Sequence, residues 1–259
     1  MAGAERPGVR YAMSEIDAKG EGPRLAMLES ILDEPTFARL ERIGVGSGWR
    51  CADVGAGRGS VSTWLRDRGA EVISADIMPR FLSGPHVRTH DICDGPVEDS
   101  AFDLVHCRAL LAHVADFDSA VEHLVASARP GGWVMVAEPD YGTMKECESD
   151  HPRAEVFRQF RERSAAGTRM DAFVGRRVHQ VLGGCLEDVS SEGLTDIVCG
   201  GSLRARYRRF TMEVARPLSA RRDDYDEAEY EELLACFDDP TFRYIDCLWV
   251  AVWGKRPGG

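Results

Sequence analysis

The residue types best placed for chemistry are three carboxylates and a cluster of glycines. Asp53 precedes Gly55-Ala56-Gly57-Arg58-Gly59, and Asp76 and Asp91 follow later in the chain. Each carboxylate stands where an apolar run ends. The glycines allow positive φ and let a ligand approach the main chain closely. A helix starting behind them offers free N–H groups. A polyanion would prefer bare N–H groups and cations to the fixed charge of Asp53, whereas a nucleoside carrying a cation accommodates it. A carboxylate such as Asp76 can accept from two vicinal ribose hydroxyls. Asp91 is placed to accept from an exocyclic adenine amine, with Ile77 and Ile92 as apolar plates for the ring. Together these residues point to a nucleoside site. The plain alternative is a tight turn followed by ordinary loop-end caps.

The elements that must position these groups follow from periodicity. Arg50 to Val54, Glu71 to Ala75, Val87 to His90, Phe102 to Cys107 and Trp133 to Ala137 are expected strands. A helix is expected over Ser60 to Arg68, and another, capped by Asp116 or Asp118, has the inner face Val121, Leu124, Val125 and Ala128. The link after Asp76 contains Pro79, Gly84 and Pro85 and has room for at most one or two helical turns. This alternation predicts an α/β fold, a Rossmann-like, doubly wound, mostly parallel sheet with helices on both faces. Ligands of such sheets bind beyond the carboxyl ends of the strands.

Flanking segments complete the expected organisation. Residues 1–44 form an N-terminal helical cap, with two short helices separated at Pro35. Residues 45–140 are the core, 141–187 a helical lid insert, and 188–259 return to the core sheet. In that last part a strand pattern over Thr195 to Tyr207, an acidic helix near Glu227 to Phe237 and a strand over Tyr244 to Trp253 predict an antiparallel edge strand. Arg204, Arg206, Arg208 and Arg209 are expected on the solvated face of a strand.

Composition narrows the partners. The net charge of -11, from 32 basic and 43 acidic residues, disfavours a nucleic-acid partner. The chain is 44% hydrophobic but has no long apolar stretch, so no membrane partner is expected. The eight cysteines lack a close Cys-x-x-Cys pair, which suggests reduced thiols, a cytoplasmic location and no metal site. The polar stretch Met1 to Gly22 has no secretory h-region. A monomer or homodimer is expected.

The chain resembles a class I S-adenosylmethionine (SAM)-dependent methyltransferase, of the kind that acts on small molecules in bacteria. Asp53-Val54-Gly55-Ala56-Gly57-Arg58-Gly59 is similar to the family's first motif. Asp76 matches the acidic residue after the second strand, Asp91-Ile92 the adenine-contact motif, and Ala101-Phe102-Asp103-Leu104-Val105 the fourth-strand motif. Arg129-Pro130-Gly131-Gly132 resembles the turn before the fifth strand. The resemblance covers roughly residues 48–138. It implies SAM as cofactor, with Gly55 and Gly57 against its methionine part and Asp76 on its ribose. Tyr11 and Arg24 would approach the methionine part from the N-terminal cap, and Arg108, after the fourth strand, is taken with the cofactor-binding set.

Methyl transfer mainly needs nucleophile and methyl group held in line. A base helps an oxygen or nitrogen acceptor, and His113 and Glu138 are the candidates near the active face. Packing on an apolar face is the alternative for His113, and strand termination before Pro139 is the alternative for Glu138. The expected acceptor is a small organic molecule, such as a natural-product intermediate. Two rival functions remain. One is a SAM-binding enzyme of the same fold that catalyses cyclisation or rearrangement. The other is an NAD(P)-dependent oxidoreductase, suggested by the Tyr-x-x-x-Lys spacing of Tyr141 and Lys145 and opposed by Pro139 and Gly142, which favour a loop there.

Overall fold

The computed structural model describes residues 18–148, 150–167 and 170–258. Tyr11, expected near the cofactor, lies outside them. The main sheet has the order β3-β2-β1-β4-β5-β9-β6. Its members are β1 (Arg50–Val54), β2 (Glu71–Asp76), β3 (Val87–Thr89), β4 (Phe102–Arg108), β5 (Ala128–Asp140), β6 (Glu187–Leu194) and β9 (Leu248–Lys255). The first five strands are mutually parallel, and β9 runs antiparallel to both β5 and β6. The expected antiparallel element is therefore β9, held one position in from the edge strand β6.

Helices cover both faces. On one side, α3 (Phe117–Ser127) and α5 (Val174–Cys185) bury Val121, Leu124, Val174, Val178 and Leu182 in one core. On the other, α1 (Ala18–Ile43) and α2 (Ser60–Asp67) bury Leu40, Val61 and Leu65 against Leu104, Met135 and Ala251. Alternate residues of the central strands point into opposite cores, as the period of two requires.

A third core lies above the carboxyl ends of the strands. It joins Leu28 and Leu32 of α1 to Phe157 of α4 (Ala154–Gly167), Ala205 and Tyr207 of α6 (Leu203–Ser219), and Leu233 and Phe237 of α7 (Glu227–Asp238). Val198 of β7 (Ile197–Cys199) and Tyr244 of β8 (Arg243–Ile245), a separate antiparallel pair, complete it. The stretch 141–187 is thus divided: α4 belongs to this cap, whereas α5 covers the main sheet.

Three local expectations change. Ala18–Ile43 is one helix despite Pro23 and Pro35. Pro35 supplies no helical N–H, but the Arg108 guanidinium holds the helix on either side of it by donating to Asp33 Oδ1 at 2.8 Å and Thr36 Oγ1 at 2.9 Å. Pro130-Gly131-Gly132 lies within β5, because a β-bulge in the β4–β5 ladder absorbs it. A side chain at 132 would meet the Phe102 carbonyl at 2.6 Å, so only glycine fits. Finally, 203–207 is helical. The alternating arginines mimic a strand period, but Ser202 Oγ accepts from Ala205 N at 3.3 Å and starts α6. Arg208 is buried at 6% exposure, not on a solvated face.

Candidate active site

The glycine loop joins β1 to α2 and is tied to β2. Gly55 N and Ala56 N donate to the Ala75 carbonyl at 2.8 and 3.1 Å, and Gly57 N donates to Asp76 Oδ2 at 2.9 Å. Gly55 and Gly57 have φ of +72° and +57°, which L side chains rarely adopt. A Cβ at Gly55 would press on Leu110 Cβ at 3.1 Å, whereas one at Gly57 would meet only Leu25 Cδ1, at 3.9 Å. Space above Gly57 is therefore open on the side where a ligand would lie along the main chain.

Asp76 stands at the tip of β2. Its Oδ1 accepts from Met78 N at 2.7 Å and its Oδ2 from Gly57 N, so each oxygen keeps a lone pair for a further donor. Burial nevertheless pushes the carboxyl above its usual range. Two ligand hydroxyls would supply what the protein leaves out. Asp91 holds its own turn, with Oδ1 accepting from Cys93 N at 2.9 Å. Ile77 is partly exposed nearby in sequence, whereas Ile92 is 2% exposed and belongs to the sheet core. Ile92 therefore supports this end of the sheet from within.

Asp53 works from behind the loop. It is 3% exposed, with Oδ2 accepting from Ser62 Oγ at 2.6 Å and Oδ1 bonded to His106 Nδ1 at 2.8 Å. Burial opposes its charge, but His106 and Ser62 together hold the carboxyl below its usual range. Asp53 and His106 are register partners on β1 and β4. The partnership depends on strand order and register, so sequence reasoning missed His106 and Ser62. Arg108 is likewise turned to α1, through Asp33 and Thr36, and anchors that helix beside the loop.

Glu138 closes the strand tips from β5. It is fully buried, with Oε1 accepting from Leu110 N at 2.8 Å and Leu111 N at 2.9 Å, and Oε2 accepting from Ala112 N at 3.3 Å. Burial raises its carboxyl to about 7 against the pull of these N–H groups. This grip holds a loop in which Ala109 has φ +55°, an unfavourable value for alanine. Glu138 thereby fixes Leu110 against Gly55.

His113 ends the short 3₁₀ turn Leu111–His113. Burial, and then the charge of Arg24, lower its imidazole to about 4, so the ring is neutral at physiological pH. Arg24 is 7% exposed, forks onto Glu21 with two 2.7 Å bonds and donates to Tyr207 OH at 3.3 Å. It therefore connects the neighbourhood of the glycine loop to α6 of the cap.

The cap adds Arg161, which the sequence did not single out, and gives Tyr141 and Arg208 a setting it did not foretell. Tyr141 follows β5, and the guanidinium carbons of Arg161 (α4) and Arg208 (α6) lie 5.8 and 5.6 Å from its ring centroid. Arg208 Nε donates to Asp246 Oδ1 at 2.9 Å. Lys145 is exposed after the short 3₁₀ turn Tyr141–Thr143, so Tyr141 and Lys145 share no helix face. The geometry that a Tyr-x-x-x-Lys oxidoreductase pair requires is absent from these described residues.

The loop, the open space over Gly57 and the under-donated carboxylate of Asp76 fit a nucleoside cofactor. The comparisons agree with that fit. The model of a family described as "Methyltransferase domain" matches residues 26–182. The chain belongs to this family, and with its fold it is a class I SAM-dependent methyltransferase-family member.

Among its relatives, a ubiquinone biosynthesis O-methyltransferase of Bordetella bronchiseptica is 36% identical over 109 residues, 37% of this chain and 44% of the relative. A malonyl-[acyl-carrier protein] O-methyltransferase of Serratia marcescens is 28% identical over 114 residues, 40% of this chain and 45% of the relative. The chain thus spans less than half the length of the curated relatives it matches. The fold is similar to that of a Haemonchus contortus phosphoethanolamine N-methyltransferase 2. Its TM-score is 0.59 at 16% identity, over 97% of this chain and 61% of the other. The [4+2]-cyclase SpnF shares the fold at a TM-score of 0.51 and 21% identity, over 88% of this chain and 81% of the other.

Proposed function

We propose that this protein transfers the methyl group of SAM to a small organic acceptor, such as an intermediate of natural-product synthesis. The observation that carries the proposal is the juxtaposition of Asp76 with Gly57 at the tips of β2 and β1. A carboxylate bonded to the glycine loop and still short of donors suits a ribose beside a closely approached main chain.

In this reading Gly55 and Gly57 lie along the methionine part, Asp76 holds the ribose, and Asp91 and Ile77 border the adenine. Arg24 borders the methionine end. When bound, SAM supplies an electrophilic methyl group on a sulfonium. The chain's own task is then positional. Glu138 fixes the loop Leu110–Ala112, and the cap of α4, α6 and α7 covers the strand tips and excludes water. Effective concentration gained by such positioning is worth about 7 kcal/mol of barrier in favourable cases. Glu138 has its oxygens engaged by three N–H groups, so it acts as a positioning residue. His113, lowered to about 4, is too weak a base for a large contribution near neutral pH.

The shared fold of the SpnF cyclase keeps a second reading in view, namely a SAM-binding enzyme that does not methylate. Incubation with methyl-labelled SAM and a panel of small acceptors separates the two. Label in an acceptor supports the proposal. Cofactor that binds but is never turned over, across the whole panel, contradicts it.

A further inference from the structure

Among the described residues of the cap, one half-buried guanidinium, that of Arg161, has no carboxylate to answer it. Arg208 is 6% exposed and is answered by Asp246, at 2.7 Å from Nη2 and 2.9 Å from Nε. Arg161 lies on the same Tyr141 ring as Arg208, yet no carboxylate pairs with it among the described residues. Its one hydrogen bond there runs from Nη2 to the Met144 sulfur at 3.3 Å, a weak acceptor. Its Nε is shielded from solvent and has no partner. Burial, and then the proximity of Arg208, lower its affinity for its proton, the signature of an unanswered cation.

A second, independent observation lies beside it. Tyr244 is 1% exposed, its hydroxyl has no hydrogen-bond partner, and it interacts electrostatically with both Arg161 and Arg208. Thr211, one turn beyond Arg208 on α6, also has a buried hydroxyl without a partner. Buried polar groups are ordinarily satisfied, and a guanidinium with a shielded, unpaired N–H is costly. The unpartnered hydroxyl of Tyr244 beside the unpaired Arg161 defines a place built to receive acceptor atoms from elsewhere.

Its position links it to the catalytic face. Arg24 adjoins Leu25, which reaches to 3.9 Å from a Cβ position at Gly57. Arg24 donates to Tyr207, whose ring lies 5.2 Å from the Arg208 guanidinium carbon. Arg208 in turn shares the Tyr141 ring with Arg161.

Resting on the methyltransferase reading, we infer that the acceptor is an anion whose carboxylate or phosphate oxygens dock on Arg161, with Tyr244 as a further donor. The planar fork of arginine suits either oxyanion. Arg208 and Asp246 support this subsite as a neutral pair beside it.

The test uses thermal shifts of the full chain, saturated with S-adenosylhomocysteine. Benzoate and phenyl phosphate are the anionic probes, and benzyl alcohol is the neutral control. Benzoate, phenyl phosphate or both raise Tm in the wild type, benzyl alcohol does not, and the winning probe identifies the oxyanion. Arg161→Met abolishes the anion shift while keeping the shift from S-adenosylhomocysteine, and Arg161→Lys retains a reduced one. Arg161→Met alone also raises the ligand-free Tm, because an unpaired charge with a shielded N–H is gone. Equal shifts by anionic and neutral probes, no shift by either anion, or an anion shift that survives Arg161→Met would overturn the inference. If S-adenosylhomocysteine itself gives no shift, the cofactor reading fails separately, and the anion series without cofactor still decides this one.

Discussion

The carboxylate of Glu138 at the end of β5 accepts the backbone N–H of Leu110 at 2.8 Å, and Leu110 in turn packs on the bare Cα of Gly55. One buried acid thus sets how closely the loop after β4 approaches the glycine loop after β1. The strained Ala109 between them is held by its own N–H on the Ala137 carbonyl at 3.0 Å.

Removing that acid should loosen the whole edge. Glu138→Ala leaves the N–H groups of Leu110, Leu111 and Ala112 without their acceptor. A loss of about 3 kcal/mol is expected, at roughly 1–3 kcal/mol for a stranded buried group. Urea unfolding measures it, and weaker binding of S-adenosylhomocysteine should accompany it.

The same residue predicts a pH dependence. The unfolded chain releases this proton near the ordinary value of 4.5, and the folded chain holds it up to about 7. Folding therefore takes up a proton between those values, and stability falls as pH rises through that window. Glu138→Gln should flatten this part of the stability profile, read from urea midpoints between pH 4.5 and 7. An unchanged slope would place the titration elsewhere.

Asp53 acts in the opposite direction. Its folded carboxyl lies below its ordinary value, so its contribution is full above the unfolded value and is lost as pH falls through the folded one. Asp53→Ala strands His106 Nδ1, leaves Ser62 Oγ only the bond it accepts from Ser74 Oγ, and should cost about 2–5 kcal/mol. It should also remove part of the acid-side transition followed by circular dichroism.

His113→Ala should slow methyl transfer by less than the roughly 100-fold that marks the loss of a general base. The check is kcat across pH. A loss of 100-fold or more, with a titration absent from the variant's profile, would return the catalytic role to His113.

Much of the framework was legible in the chain because local chemistry and tertiary demand agree there. The Gly55–Gly59 bend, Asp76 at its strand tip and an aspartate cap for α3, narrowed by the structure from Asp116 or Asp118 to Asp116, each follow from short-range rules. What stayed hidden depends on distant partners. The pairing of Asp53 with His106 is one such case, because nothing local reveals that the two are register neighbours. Arg204, Arg206 and Arg208 alternate like a strand, yet the Ser202 cap and the burial of Ala205 and Tyr207 make the segment a helix. The Arg161, Arg208 and Tyr244 cluster comes from three separate elements, so no single motif announces it.

Calorimetric titration of S-adenosylhomocysteine into the wild type and Asp76→Ala tests the nucleoside site most directly. The wild type should bind one equivalent. The variant should bind more weakly by about 1–3 kcal/mol, or roughly 5- to 150-fold, because the ribose hydroxyls lose their acceptor. No binding by the folded wild type, or equal affinity in the two proteins, would contradict the account.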